Sequence, residues 1–208
     1  MCLRRNSAAV LILSLISVLP LSAGELLDKI SANMGSIRSI KSDFRQEKTL
    51  KSFGFPLVIT GVMCADHAKN LFAWHVKSPM VYSCIISADK LTQWDSDTGK
   101  TVEVSVSRNP ALKLLSETLS TLFAGNFPKL LTSFEVTKEA NPLELVPRSG
   151  SAAAGFISGI AFKFTDDLSQ IKEITMNEKS GDVTRISFSN SELNAPIENF
   201  WWKAEQSK

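Results

Sequence analysis

The sequence predicts a mainly-β α+β fold: one strongly curved antiparallel sheet whose concave side is covered by helices. Three observations carry that prediction. Short segments rich in β-branched and aromatic residues recur along the chain with brief turns between them, the pattern of an antiparallel meander. About ten such segments can be counted, and sheets that large tend to curl or close. Two further segments carry apolar residues at helical spacing, and each stripe needs a surface to cover.

The 208-residue chain opens with Arg4 and Arg5 and continues into the apolar run "AAVLILSLISVLPLSAG" (Ala8 to Gly24). That is the layout of a cleavable signal peptide, residues 1–24, cut after Gly24 or Ala23. Its apolar core of about a dozen residues is short of the ~20 that span a bilayer. A lipid anchor would need a cysteine at the cut, and Cys2 lies in the basic region instead. The expectation is a single domain over residues 25–208, large enough for a real core, exported to a periplasm and not anchored. The chain has 23 basic and 21 acidic residues. Losing Arg4 and Arg5 brings the net charge near zero, and no basic patch is readable. Binding to nucleic acid has no electrostatic support.

The first element is a helix in "ELLDKISANMGSIRSIKSDF", where Leu26 or Leu27, Ile30, Met34 and Ile37 recur three and four apart. "SIKSDFRQEKTL" is then extended, anchored by Ile40 and Phe44. Strands follow in "PLVITGVMCA", "NLFAWHVK" and "MVYSCIISA", and "KLTQWDSDTGKTVEVSV" folds as a hairpin at Asp97-Thr98-Gly99. A second helix occupies "NPALKLLSETLSTLFAGN", with Pro110 in its first turn and Gly125 at its end. Leu112, Leu115, Leu119, Leu122 and Phe123 form its apolar stripe, widened by Leu114. Strands resume in "SFEVTKE" and "PLELVP", and "RSGSAAAG" is a flexible loop. "SGIAFKFTDD", "QIKEITMNE" and "DVTRISFSNSE" complete the series, with Gly181 at a tight turn. The tail "NAPIENFWWKAEQSK" is apolar at Ile197, Phe200, Trp201 and Trp202.

Side chains alternate faces along a strand, so Phe72, Trp74 and Val76 share one face and His75 points to the other, predicted to be the wet one. Cys64 and Cys84 fall on the second and fourth strands of a simple meander. Non-adjacent strands lie at about twice the ~4.8 Å spacing, beyond the ~7 Å a disulfide allows. Both are expected to be free buried thiols. With His67 and His75 they have the ligand chemistry of zinc, but only Cys64-x-x-His67 has a short site spacing, and no metal is expected. Gly150-Ser151 lacks a nucleophile elbow, and no phosphate-cradling or dinucleotide loop is present. The reading is a non-enzyme without cofactor and without catalytic residues.

The apolar constellation combines Phe72, Trp74 and Val76, Met63 on the neighbouring strand, Leu27, Ile30 and Met34 on the first helix, and Leu112, Leu115, Leu119 and Leu122 on the second. Composition and periodicity do not distinguish a filled core from a cavity lined by the same residue types.

Four stretches resemble the periplasmic outer-membrane lipoprotein carriers, the LolA-like proteins. They are "SIKSDFRQEKTL" with Phe44 and Gln46, "PLVITGVM" with Gly61 and Met63, "NLFAWHVKSP" ending at Pro79, and "GDVTRISFSNSELNAPIENFWW" with Asn194, Ile197 and Phe200. Together they cover most of Glu25 to Trp202. The resemblance implies an incomplete β-barrel whose apolar cavity takes up acyl chains of a lipoprotein or other lipid. It also implies an inner-membrane donor complex and an outer-membrane acceptor, with the carrier itself a monomer. Carriers of this family lock the sheet to the lid helices with an arginine before a proline. Here that region reads "DHAKNLF", with Ala68 near the expected place, which makes His67 and Lys69 the lock candidates. The Pro-x-Gly continuation after the last aromatic cluster is also missing, as in a paralogue with another cargo. The alternative of a different class is an envelope sensor or scaffold that binds a protein through the sheet edge or convex face.

Overall fold

The computed structural model describes residues 24–123 and 125–205, without the side chains of Pro110, Ala111, Leu114 and Leu115. The expected signal peptide, apart from Gly24, lies outside the described residues. Helix α1 (Glu25–Met34) buries Leu26, Ile30 and Met34, three residues four apart and hence on one face. Strands β1 (Ser39–Thr49), β2 (Leu57–Asp66), β3 (Leu71–Ser78), β4 (Tyr82–Ile86), β5 (Lys90–Asp95) and β6 (Lys100–Ser105) follow as a meander. Helix α2 (Pro110–Phe123) and the single turn α3 (Phe127–Leu130) interrupt it. A second meander then runs through β7 (Phe134–Lys138), β8 (Leu143–Pro147), β9 (Ile157–Phe164), β10 (Ile171–Glu178) and β11 (Val183–Leu193).

All neighbouring strands are antiparallel, and the sheet order is β6-β5-β4-β3-β2-β1-β11-β10-β9-β8-β7. The two meanders meet where β1 pairs with β11. β6 and β7 remain edges, so the sheet is an incomplete barrel. Its curvature has a visible source. Register shifts interrupt the ladders at Lys41/Asp43, Thr60/Gly61 and Ile171/Glu173, and each extra residue bends its strand and increases the local twist. At the first of these, Ser42 is buried and its Oγ donates to the Ser189 carbonyl at 2.8 Å, replacing part of the broken ladder.

The helices cover the inner face. α1, α3 and Leu122 of α2 pack with Leu143 and Leu145 of β8, Phe162 and Phe164 of β9 and Ile171 of β10. Phe127, Phe162 and Phe164 are fully buried and are worth about 1.5–3 kcal/mol each. α3 was not foreseen from sequence. Asn126 starts it, accepting from the Lys129 amide. Gly125 has φ +64°, and a Cβ there would come within 2.6 Å of Met34 Cβ. The end of α1 therefore approaches the α2–α3 connection closely only because residue 125 has no side chain. "RSGSAAAG", read as a loop, includes a 3-10 turn at Ala152–Gly155 that buries Ala153.

Gly61 is the tightest point of the sheet. A Cβ added there would run into the His75 carbonyl oxygen and approach Phe44 Cε1 to 2.8 Å. Gly61→Val is expected to lower stability by at least ~2 kcal/mol, read as a drop in the urea midpoint. An unchanged midpoint would contradict this packing.

Candidate functional site

The inner face over β1 to β3 is aromatic because the strand alternation places it so. Phe44 lies opposite Gly61, Met63 opposite Trp74, and Gly61 opposite Val76. With no side chain at Gly61, the Phe44 ring reaches across it and stacks on Trp74 at 3.6 Å between centroids. Trp74 is followed by Phe72 at 6.1 Å, and Phe72 meets Phe123 of α2 at 5.6 Å. Four rings thus form a continuous ladder from the sheet to the covering helix. Such pairs contribute about 0.5–1.5 kcal/mol each beyond the area they bury.

The residues expected to line a cavity divide between two packed groups. Met63 and Val76 are buried around this ladder, with Phe72, Trp74 and Leu119 half-buried against them. Ile30, Met34 and Leu122 are buried in the neighbouring group, and Leu27 is half-buried at its margin, while Leu26 takes the buried position in that turn. Leu112 is half-exposed and belongs to neither group. The Leu115 side chain lies outside the described residues. Phe123, Phe44, Ile40 and Phe188 complete the inner face. The first three were visible in the sequence as apolar positions but were not joined to the site, since only the fold brings them together.

The inner face is filled by its own side chains. An apolar void of about 10 Å³ remains among Met34, Ile40, Met63, Phe123 and Phe188, and one of about 30 Å³ among Ala65, His67, Phe72, Leu119 and Phe123. Pockets for organic ligands run to ~300–1,000 Å³, so neither void admits an acyl chain. A larger space of about 360 Å³ opens outward past Asn70 and Ser116 and is lined by Lys113, Glu117 and Lys129. It adjoins the 30 Å³ void along Asn70, Ser116 and Ser120.

Of the two lock candidates, His67 turns to the helix and Lys69 does not. The His67 Nε2 is buried without a hydrogen bond of ordinary geometry. Burial pushes the imidazole below its usual pKa, against the Phe123 main-chain carbonyl and the Asp66 carboxylate, which favour the charged ring. Lys69 pairs with Asp66 at 3.0 Å and stands 6.0 Å from the Trp202 ring, on the opposite side of the sheet.

That opposite side corrects the expectation for His75. It is not wet but 3% exposed. The C-terminal segment 195–205 crosses the outer face and packs Ile197, Trp201, Trp202 and Ala204 against Val62, Cys64, Ala73 and Ile85. His75 Nε2 donates to the Trp201 carbonyl at 2.8 Å, and Ser83 Oγ donates to the Ala204 carbonyl. The signal was present in "GVMCA": a run apolar at consecutive positions marks a strand buried on both faces. Cys64 sits under this strap, whereas Cys84, opposite Trp74, faces inward. Cys84 is half-buried rather than buried. Both are free thiols on opposite faces, pushed up to about 12 and about 11 by burial. Among the described residues no group of three His, Cys, Asp or Glu side chains could hold a metal.

Burial holds His75 as well as His67 below the ordinary ~6.5. The unfolded chain takes up these protons as pH falls through about 6.5 while the folded protein does not, so stability falls on acidification. The urea midpoint is expected to decline between about pH 7 and pH 5, and His75→Gln to flatten part of that slope. A flat profile in the unsubstituted protein would contradict neutral buried imidazoles.

The sequence matches the outer membrane lipoprotein carrier protein LolA family over residues 35–203. No curated protein matches it. The fold is similar to that of an uncharacterized conserved protein from Thermus thermophilus, at a TM-score of 0.55 and 11% identity, covering 89% of this chain and 96% of that one. A LolA superfamily protein from Nitrosomonas europaea aligns at a TM-score of 0.46 and 11% identity over 88% and 99% of the two chains. The MucA/MucB complex of Pseudomonas aeruginosa contains a chain that aligns at a TM-score of 0.35 and 15% identity over 84% and 58%. No helix among the described residues is long and apolar enough to cross a membrane.

Proposed function

This chain belongs to the outer membrane lipoprotein carrier protein LolA family, and we propose that it carries the acyl chains of a lipoprotein or other lipid between inner and outer membrane. On this reading residues 25–208 act as one monomeric domain in the periplasm, loaded by an inner-membrane donor and emptied by an outer-membrane acceptor. The observation that supports it best is the ring ladder Phe44–Trp74–Phe72–Phe123, which joins the sheet to the covering helix by apolar contact, with His67, Ser116 and Ser120 at its margin. An acyl chain can replace such a contact with one of the same kind.

The magnitudes favour displacement. Moving Leu119, Leu122 and Phe123 off the sheet exposes side chains worth about 1.5–3 kcal/mol each, while burying a dozen methylenes returns roughly 10 kcal/mol at ~0.8 each. Cargo therefore opens the cover by taking its place. Gly125, at φ +64° beyond α2, lets the chain turn there, and the empty cover is held by the apolar contact of Phe123 with Phe72. No bond is made or broken in the cargo, and transfer requires only an acceptor that binds more tightly.

Titration with a fluorescent fatty acid tests this. Saturable uptake is expected, and Phe72→Glu or Trp74→Glu is expected to weaken it roughly tenfold or more, because a carboxylate must then be desolvated beside the chain. Both variants should still unfold cooperatively. Phe123→Ala is expected to speed uptake in stopped-flow measurements, since it removes the last ring of the plug. Absence of uptake by the unsubstituted protein would leave these residues as plain core and favour a sensor or scaffold that binds protein.

A further inference from the structure

Six of the eight large apolar side chains exposed among the described residues gather at one end of the sheet. Phe53 is 58% exposed, Phe55 72% and Leu57 51% in the β1–β2 loop, Met80 53% and Val81 39% in the β3–β4 turn, and Phe156 68% just before β9. The strand register places these loops together. Thr49 at the end of β1 pairs with Val183, Thr60 near the start of β2 with Ser78, and Glu178 at the end of β10 with Ile157. The β10–β11 turn bridges the two Phe loops. The Lys179 amide donates to the Phe156 carbonyl at 2.9 Å, and the Lys51 amide to Asp182 Oδ1 at 2.9 Å.

Charge at this rim is one-sided around the Phe tips. Residues 49–57, 78–81 and 148–157 include Lys51 and Arg148 and no Asp or Glu, and Lys179 adds a third cation in the bridging turn. The flanking Glu178 and Asp182 lie 2.8 and 4.0 Å from Lys48, whose single charge offsets one of the two, which leaves Lys51, Arg148 and Lys179 in excess over the other. Asp95 and Asp97 occupy the β5–β6 turn, which abuts the Met80–Val81 tip, where the Ser96 amide donates to the Val81 carbonyl at 3.0 Å, so the cations gather with the Phe tips and the acids with the other. The apolar tips stand on separate loops, and none of them lines any of the three spaces described above. Protein hot spots fill pockets, whereas a bilayer interface takes protruding apolar side chains ringed by lysine and arginine. Apolar exposure on this scale marks an interaction surface rather than ordinary solvent contact.

We propose that this rim docks on a lipid bilayer with anionic headgroups. The Phe53, Phe55 and Phe156 rings enter the interface, and Lys51, Arg148 and Lys179 meet the headgroups. The carrier would then touch a membrane directly, through the end of the sheet formed by these loops, without a protein acceptor holding it there.

Flotation of the purified protein with phosphatidylcholine vesicles, with and without phosphatidylglycerol, tests the proposal. Binding to the anionic vesicles is expected, weakened by salt. Phe55→Ser and Phe156→Ser should each reduce it roughly tenfold with an unchanged urea midpoint. A Phe55→Trp reporter should shift its emission to the blue and be quenched by brominated acyl chains. Failure to bind either vesicle, or binding unaffected by the combined Phe55→Ser and Phe156→Ser substitutions, overturns the proposal. So does retention only on membranes that carry protein, which would assign the rim to a protein partner. Self-association that the same substitutions abolish, without vesicle binding, would assign it to a second copy of the chain.

Discussion

Nine paired positions, from Ile40–Leu193 to Thr49–Val183, join the first strand of the sheet to the last, and through them two locally folded meanders become one surface. Each meander is built from neighbours in sequence and closes short loops, which costs little entropy. The β1–β11 seam closes a loop of most of the chain. Without it, each half would present an apolar face too narrow to be enclosed. With it, the aromatic residues of β1 to β3 and those of β8 to β10 form one concave surface, and the helices have a single place to bury their stripes. The bulge at Ser42 sits in this seam, so the interaction that unites the sheet also helps to bend it.

The curved sheet has two faces to protect, and the chain covers them by different means. On the inner face, helices held mainly by apolar contact lie over rings and branched side chains. On the outer face, the extended segment 195–205 adds to the apolar contacts of Ile197, Trp201, Trp202 and Ala204 two directional hydrogen bonds, from His75 and Ser83 to its main-chain carbonyls. A neutral hydrogen bond contributes about 0.5–1.5 kcal/mol net but loses most of that with small displacement. Apolar contact tolerates sliding and exchange of one partner for another. A cover that has to open is expected on the face held by apolar contact alone over the ring ladder, and a fixed strap on the face where hydrogen bonds add to apolar contact. This difference supports assigning cargo to the inner side.

Much of this architecture was legible in the residues. The Leu26–Ile30–Met34 stripe, the sequence of strands, the turns at Gly99 and Gly181, and the end of α2 before Gly125 all follow from local periodicity and turn chemistry. His75 was misjudged because its cover comes from Trp201, 126 positions away, and alternation within one strand says nothing of what arrives from elsewhere. The inner face was recognised as apolar, yet Phe123 was separated from Phe72 and Trp74 because their meeting depends on how α2 crosses the sheet. Leu112 carries the same helical spacing as Leu119 and Leu122 but lies beyond the ladder. Whether such a face is filled or hollow is a property of volume, which residue type does not encode.

The central claim is that the filled interior gives way to acyl chains, and native mass spectrometry of the protein purified from its compartment without detergent tests it most directly. A population heavier by the mass of a lipid or acylated peptide is predicted, whose loss on collisional activation returns the bare chain and whose mass identifies the cargo class. A uniformly bare protein that stays bare after incubation with acylated peptides and free lipids would contradict the claim, and the Phe44–Trp74–Phe72–Phe123 ladder would then be core alone.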